Sequence, residues 1–279
     1  MIHSILHPSD LSVGNESAFL HGLRLALAIK GDFSILHSAP MREDEDAGWH
    51  SFPGVRSALV RWGLIDADAP QSAVATHLGV RITKAELHDA TPVGGVLHWL
   101  QDHSCDLVVM GTHAREGVGR WLKGSIAADL AYHARLPTLF LPMSSSGFVD
   151  PATGTSLIRN VLIPIDRAPR PGPAVSLAFE VADAYGCADA IMHLLHVGAS
   201  DGAPAISIDA ARDQRLRRHT RQGIVTDAIV KFADELNPEL IVMPTLGRHG
   251  FLDALRGSTT ERVLRQARLP LLAVPALEV

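Results

Sequence analysis

At 279 residues, 47% hydrophobic and 20% charged, the chain has the balance of a folded protein and length for two domains of ordinary size. A net charge of −5 without any dense basic run argues against nucleic acid or an anionic membrane as a partner. Apolar runs fall short of a bilayer span, the first residues lack a secretory pattern, and two isolated cysteines (Cys105, Cys187) supply neither a disulfide framework nor a zinc knuckle, so a cytoplasmic protein is expected.

Short apolar runs alternate with amphipathic stretches. Strands are predicted at Ile2–His7, Phe33–His37, Val80–Leu87, Leu107–Met110 and Thr138–Leu141. Helices are predicted at Glu16–Ile29, within Val55–Leu78, at Val93–His103 and at Ile126–Ala134. Ser144 to Ser156, rich in Ser, Gly, Thr and Pro, reads as an exposed linker. Beyond it, strands are predicted at Asn160–Ile165, Ala190–Val197, Leu240–Met243 and Leu271–Val274, and helices at Ala174–Tyr185, Ile224–Leu236 and Thr259–Ala267. The five arginines from Arg212 to Arg221 read as a solvated helix face, with a short third strand near Arg218–Gln222. Alternation of strand and helix implies parallel sheets, because parallel neighbours need crossover connections. Leu107–Met110 is apolar at every position, which implies helices on both faces.

The chain repeats itself. Residues 106–142 align without a gap with residues 239–275, and fifteen of the 37 positions are identical. Ile5-Leu6-His7-Pro8-Ser9-Asp10 likewise matches Val161-Leu162-Ile163-Pro164-Ile165-Asp166, and Ile35-Leu36-His37 resembles Leu194-Leu195-His196. The domains are placed at 1–145 and 157–279. The first carries an insertion at about 40–75, between its second and third strands, that includes the acidic run Glu43–Asp46; the second has a shortened middle.

Ligands of open parallel sheets bind beyond the C-terminal strand ends, which directs attention to Pro8–Asp10, Gly111–Ala114, Pro164–Asp166 and Pro244–Gly247. Pro244-Thr245-Leu246-Gly247 is followed, after nine residues, by Gly257-Ser258 and a helix. Ser258 and Glu261 have capping-box spacing, and a helix N-terminus with nearby glycines suits a phosphate group. Read structurally, the same residues are an ordinary turn and an ordinary cap.

These residues resemble the universal stress protein family, whose ATP-binding members carry Gly, two residues, Gly, nine residues, then Gly-Ser or Gly-Thr. The resemblance extends to Asp10 and Asp166 after the first strands, to the Leu-His pairs, and to the ending Leu-Pro-apolar-Pro. It implies two tandem doubly wound α/β domains with parallel five-stranded sheets, of the adenine-nucleotide α-hydrolase-like kind, paired as an intramolecular pseudo-dimer, with a further homodimer open. It implies binding of ATP or AMP, with or without magnesium, for sensing or regulation without clear catalysis.

By the same resemblance, Pro164, Ile165, Asp166 and Val197 would lie near adenine or ribose, and Met243 would line the base pocket. Gly247, Gly257, Ser258 and Thr259 would hold phosphates, with Arg248 as a countercharge. The first half offers a weaker set: Pro8, Ser9, Asp10, Met110, Gly111, Gly124 and Ser125. Both copies depart from the pattern, since Ala114 replaces the second glycine of the first half and Pro244 the first glycine of the second.

A different function class is a nucleotide-free scaffold that binds a protein partner through the insertion or the edge strands. A third uses His7, His37, His113 and Asp10 as metal ligands at strand ends. His193 and His196, three apart on a strand, point to opposite faces and cannot share one ion.

Overall fold

The computed structural model describes residues 1–38, 54–89, 91–112, 134–143, 145–245 and 259–276. It divides into two compact units, Met1–Thr155 and Ser156–Val279.

The first unit runs β1 (Ser4–Pro8), α1 (Glu16–Ile29), β2 (Asp32–Ser38), α2 (Val55–Arg61), α3 (Ala73–Leu78), β3 (Arg81–Leu87), α4 (Pro92–Asp102), β4 (Leu107–Thr112) and β5 (Thr138–Pro142). Its strands are parallel and ordered β3-β2-β1-β4-β5. The chain moves outward from β1 to β3, then returns to place β4 on the other side of β1. Right-handed crossovers in opposite directions put their helices on opposite faces, so the sheet is doubly wound and its switch point lies between β1 and β4. Burial on both faces explains why Leu107, Val108 and Val109 of β4 have no exposed surface.

The second unit repeats the plan: β6 (Asn160–Pro164), α5 (Gly172–Ala184), β7 (Ile191–Val197), a one-turn α6 (Ala210–Asp213), β8 (Leu216–Arg221), α7 (Val225–Leu236), β9 (Leu240–Thr245), α8 (Thr259–Ala267) and β10 (Leu271–Pro275). Its parallel order is β8-β7-β6-β9-β10, with the switch point between β6 and β9. Between β7 and β8, where the first unit has α2 and α3, stand only α6 and a 3-10 turn at Ser200–Gly202.

A polar anchor is repeated along with the fold. Asp106, just before β4, accepts hydrogen bonds from the amides of His3 (2.8 Å) and Ser4 (2.9 Å). Glu239, just before β9, does the same for Arg159 (3.0 Å) and Asn160 (2.9 Å). Each carboxylate satisfies amides at the open start of the neighbouring strand.

Two expectations are corrected. The arginine-rich stretch is mainly an edge strand: Leu216 is buried while Arg217, Arg218, Thr220 and Arg221 face solvent. Among its arginines, Arg215 is ion-paired with Asp183 and Arg218 with Asp213 at 2.8 Å each, and Arg221 with Glu235 at 3.3 Å. Nor is the linker an exposed connector. Phe148 and Val149 are buried, and their amides donate to Nε2 of His21 on α1 at 3.0 and 3.2 Å. Arg24 donates to the Gly154 carbonyl at 2.9 Å and the Trp62 indole to the Pro151 carbonyl at 3.1 Å, so residues 145–155 are strapped onto the first unit.

Candidate functional site

In each unit the two switch-point strands stop pairing before they end. β1 and β4 pair at Ile5–Leu107 and Leu6–Val108; β6 and β9 pair at Val161–Leu240 and Leu162–Ile241. Beyond these residues the strand ends part and form a crevice.

Both crevices are built around the turn after the first strand. The amide of Ser9 donates to the Leu36 carbonyl at 2.8 Å, and that of Ile165 to the Leu195 carbonyl at 2.9 Å. The histidine of the next strand then holds the turn. Nδ1 of His37 donates to the Ser9 carbonyl at 2.9 Å, and Nδ1 of His196 to the Ile165 carbonyl at 3.4 Å. These repeated histidines therefore position the backbone ahead of Asp10 and Asp166.

The crevices differ in what fills them. In the first unit Asp10 Oδ1 accepts from the Ser12 amide (3.0 Å), the Ser12 hydroxyl (2.7 Å) and the Asn15 carboxamide (3.3 Å). Asn15 Oδ1 in turn accepts from the Gly111 amide at 3.1 Å, so a hydrogen-bonded chain crosses from β1 to β4. Asn15 stands at the N-cap of α1 and yet makes no capping bond, although capping is the usual role of asparagine there. Any Cβ on Gly111 would run into Asn15 Oδ1, which accounts for the glycine. On the α2 side of the same turn lies a pocket of about 330 Å³, lined by Ser9, Ser12, Asn15, Phe19, Ala58 and Arg61 among others.

In the second unit Asp166 is exposed, and among the described residues its carboxylate is held only by the Arg167 amide at 2.7 Å. Arg167 turns away, donating to the carbonyls of Gly202 (3.2 Å) and Asp201 (3.4 Å). At the end of β9, Thr245 Oγ1 is buried and has no hydrogen-bond partner among the described residues. Pro244 occupies the place of Gly111. A proline nitrogen is tolerated there because β6 pairing has already ended.

Of the other expected site residues, Met110 and Met243 are each 4% exposed at their strand ends, and Pro164 and Ile165 are buried. Pro8, Val197 and Thr259 are half-buried. Gly124, Ser125, Gly247, Arg248, Gly257 and Ser258 lie outside the described residues, as do Ala114 and His113.

Among the described residues, His7 and His37 do not gather as metal ligands. His7 donates through Nδ1 to the Val109 carbonyl at 2.9 Å, whereas His37 serves Ser9. The His7 ring lies against Phe19 and Phe33, its Nε2 is buried without a partner, and burial pushes its pKa down to about 4. Among the described residues no three His, Cys, Asp or Glu side chains could hold a metal together. His193 bonds His219 and Asn160, while His196 bonds Ile165, so the two serve different partners.

The fold and its two switch-point crevices define a tandem α/β protein of the doubly wound class. The sequence model of the universal stress protein family matches residues 1–142 and 206–275, and the chain belongs to that family, with two of its domains in one chain. Universal stress protein A homolog 1 of Coxiella burnetii is 29% identical over 138 residues, covering 42% of this chain and 95% of that protein. Universal stress protein MJ0531 of Methanocaldococcus jannaschii is 38% identical over 66 residues, covering 23% and 39%. The crystal structure of a universal stress protein from Archaeoglobus fulgidus has the same fold, with a TM-score of 0.64 at 19% identity, over 98% of this chain and 96% of its own. Among the described residues no helix is long and apolar enough to cross a membrane.

Proposed function

We propose that this protein is an adenine-nucleotide-binding stress-response regulator that takes ATP or AMP at the crevice of its second unit, reading or storing the nucleotide without turning it over. The observation that carries this reading is the exposed Asp166 carboxylate at the end of β6, beside which β9 ends in a Thr245 hydroxyl that is buried and, among the described residues, unbonded. These groups fit the ligand class. A carboxylate accepts from ribose hydroxyls or an adenine amino group, and a hydroxyl both donates and accepts. Met243 and Ile165 add apolar surface for a base, and Thr259, at the first turn of α8, stands where a helix N-terminus favours phosphate.

The test is isothermal titration of ATP and AMP, with and without magnesium, after a search by mass for co-purified nucleotide. Saturable binding that weakens at least tenfold in Asp166→Ala is the expected result. No heat and no retained nucleotide would leave the scaffold reading, in which the altered loops only cap helices and the chain serves a protein partner.

A further inference from the structure

We propose that Asn15 is a built-in occupant of the first unit's crevice and that it restricts the chain to one nucleotide. This rests on the reading of the second-unit crevice as the nucleotide site.

The crevice lies where the sheet's winding reverses, and ligands in such sheets reach the protein there through backbone amides and strand-end side chains. In the first unit both are taken. The Gly111 amide is bonded to Asn15 Oδ1 at 3.1 Å, and Asn15 Nδ2 is bonded to Asp10 at 3.3 Å. Asn15 is only 8% exposed, although Asp10 at the far end of the bridge faces solvent. The side chain makes the bridge and caps nothing in α1. Gly111, read from the sequence as the first glycine of a phosphate loop, leaves room for this carboxamide.

The second unit lacks both halves of the bridge. The turn and helix of the two units align at a constant offset, Asp10 with Asp166 and the first residue of α1, Glu16, with that of α5, Gly172, so Asn15 aligns with Pro171 and Gly111 with Pro244. Neither proline side chain can donate or accept, and Pro244 presents no N–H that needs a partner. One crevice is bridged by a donor and an acceptor that satisfy each other; in the other, both are absent.

The test compares wild type with Asn15→Gly and Asn15→Asp. Glycine is tolerated at an N-cap. Aspartate keeps an acceptor for Gly111 but sets a second carboxylate beside Asp10. Each is titrated with ATP, and exchange of the Gly111 amide is followed by NMR to confirm that the folded protein has lost the bridge. The expected result is one equivalent for wild type and Asn15→Asp, two for Asn15→Gly, and at least tenfold faster Gly111 exchange in Asn15→Gly. The second equivalent should persist when Gly257→Asp is added. Two equivalents in wild type, or no gain in Asn15→Gly with the Gly111 amide released, would overturn the role of Asn15 and leave the second-unit site standing. Binding in Asn15→Gly alone would support the bridge and overturn the second-unit site. No binding to any variant would overturn both.

Discussion

Nε2 of His21 accepts the amides of Phe148 and Val149 at 3.0 and 3.2 Å, while its Nδ1 donates to the Ser17 carbonyl at 2.7 Å. All three bonds require one neutral tautomer, and burial pushes the pKa of this ring down to about 4. One imidazole on α1 thereby holds the segment that follows β5. His21→Ala should strand two buried amides and open a cavity, costing about 2–4 kcal/mol. Urea unfolding would measure the loss, and proteolysis should cut within 145–155 sooner than in wild type.

Two of the buried histidines make acid stability predictable. Both His7 and His21 fall from 6.5 to about 4, His7 chiefly through burial, so the fold refuses protons that the unfolded chain accepts between those pH values. Their stabilisation is fully present above pH 6.5 and is lost as pH falls toward 4. The loss is about 3 kcal/mol for each ring. Denaturation at pH 7.5 and pH 5 should show the slope.

His7 can be tested against its own repeat. The aligned residue in the second unit is Ile163, fully buried in the same way. His7→Ile removes an imidazole nitrogen that has no partner and gives up the bond to the Val109 carbonyl. Stability at pH 7.5 should stay within about 1 kcal/mol of wild type, while about half of the acid loss should vanish. An unchanged pH slope would show that His7 does not titrate with unfolding.

If Gly257 holds phosphate as proposed, Gly257→Asp should abolish nucleotide binding by the second unit through charge repulsion, while lowering the melting temperature only slightly. Unchanged affinity would remove Gly257 from the site. Gly111→Ala should act differently: it drives Asn15 out of place and destabilises the first unit by about 1–3 kcal/mol without changing the affinity of the second, as paired calorimetric and binding measurements would show.

Much of the fold can be read from periodicity. Helix α1 occupies Glu16–Ile29 as its apolar spacing predicts, and β4, apolar from Leu107 to Met110, lies inside its sheet between β1 and β5. The arginine stretch misleads because its charge density carries no strand alternation, and its parallel pairing with β7 is what makes it a strand. The strap at 145–155 is polar in composition, and its partners His21, Arg24 and Trp62 sit more than eighty residues away, so no local pattern announces it. At the site, Asp10, Asp166 and the two glycine-bearing loops stand out because they repeat. Asn15 does not stand out, since an asparagine before a helix reads as a cap. Its bond to Gly111 depends on β1 and β4 being neighbours, which is a property of topology and not of spacing.

The exchange of Asn15 and Gly111 for Pro171 and Pro244 has a consequence for how the two copies could have diverged. Proline at position 111 alone would leave a buried carboxamide without its donor; proline at position 15 alone would leave an amide without its acceptor. Either proline alone would leave one group of the bridge without its partner, so a copy that carries both prolines restores no hydrogen bond by reverting one of them. The division between a bridged half and an open half is in that sense a ratchet, held in place by the free energy of one unmade hydrogen bond.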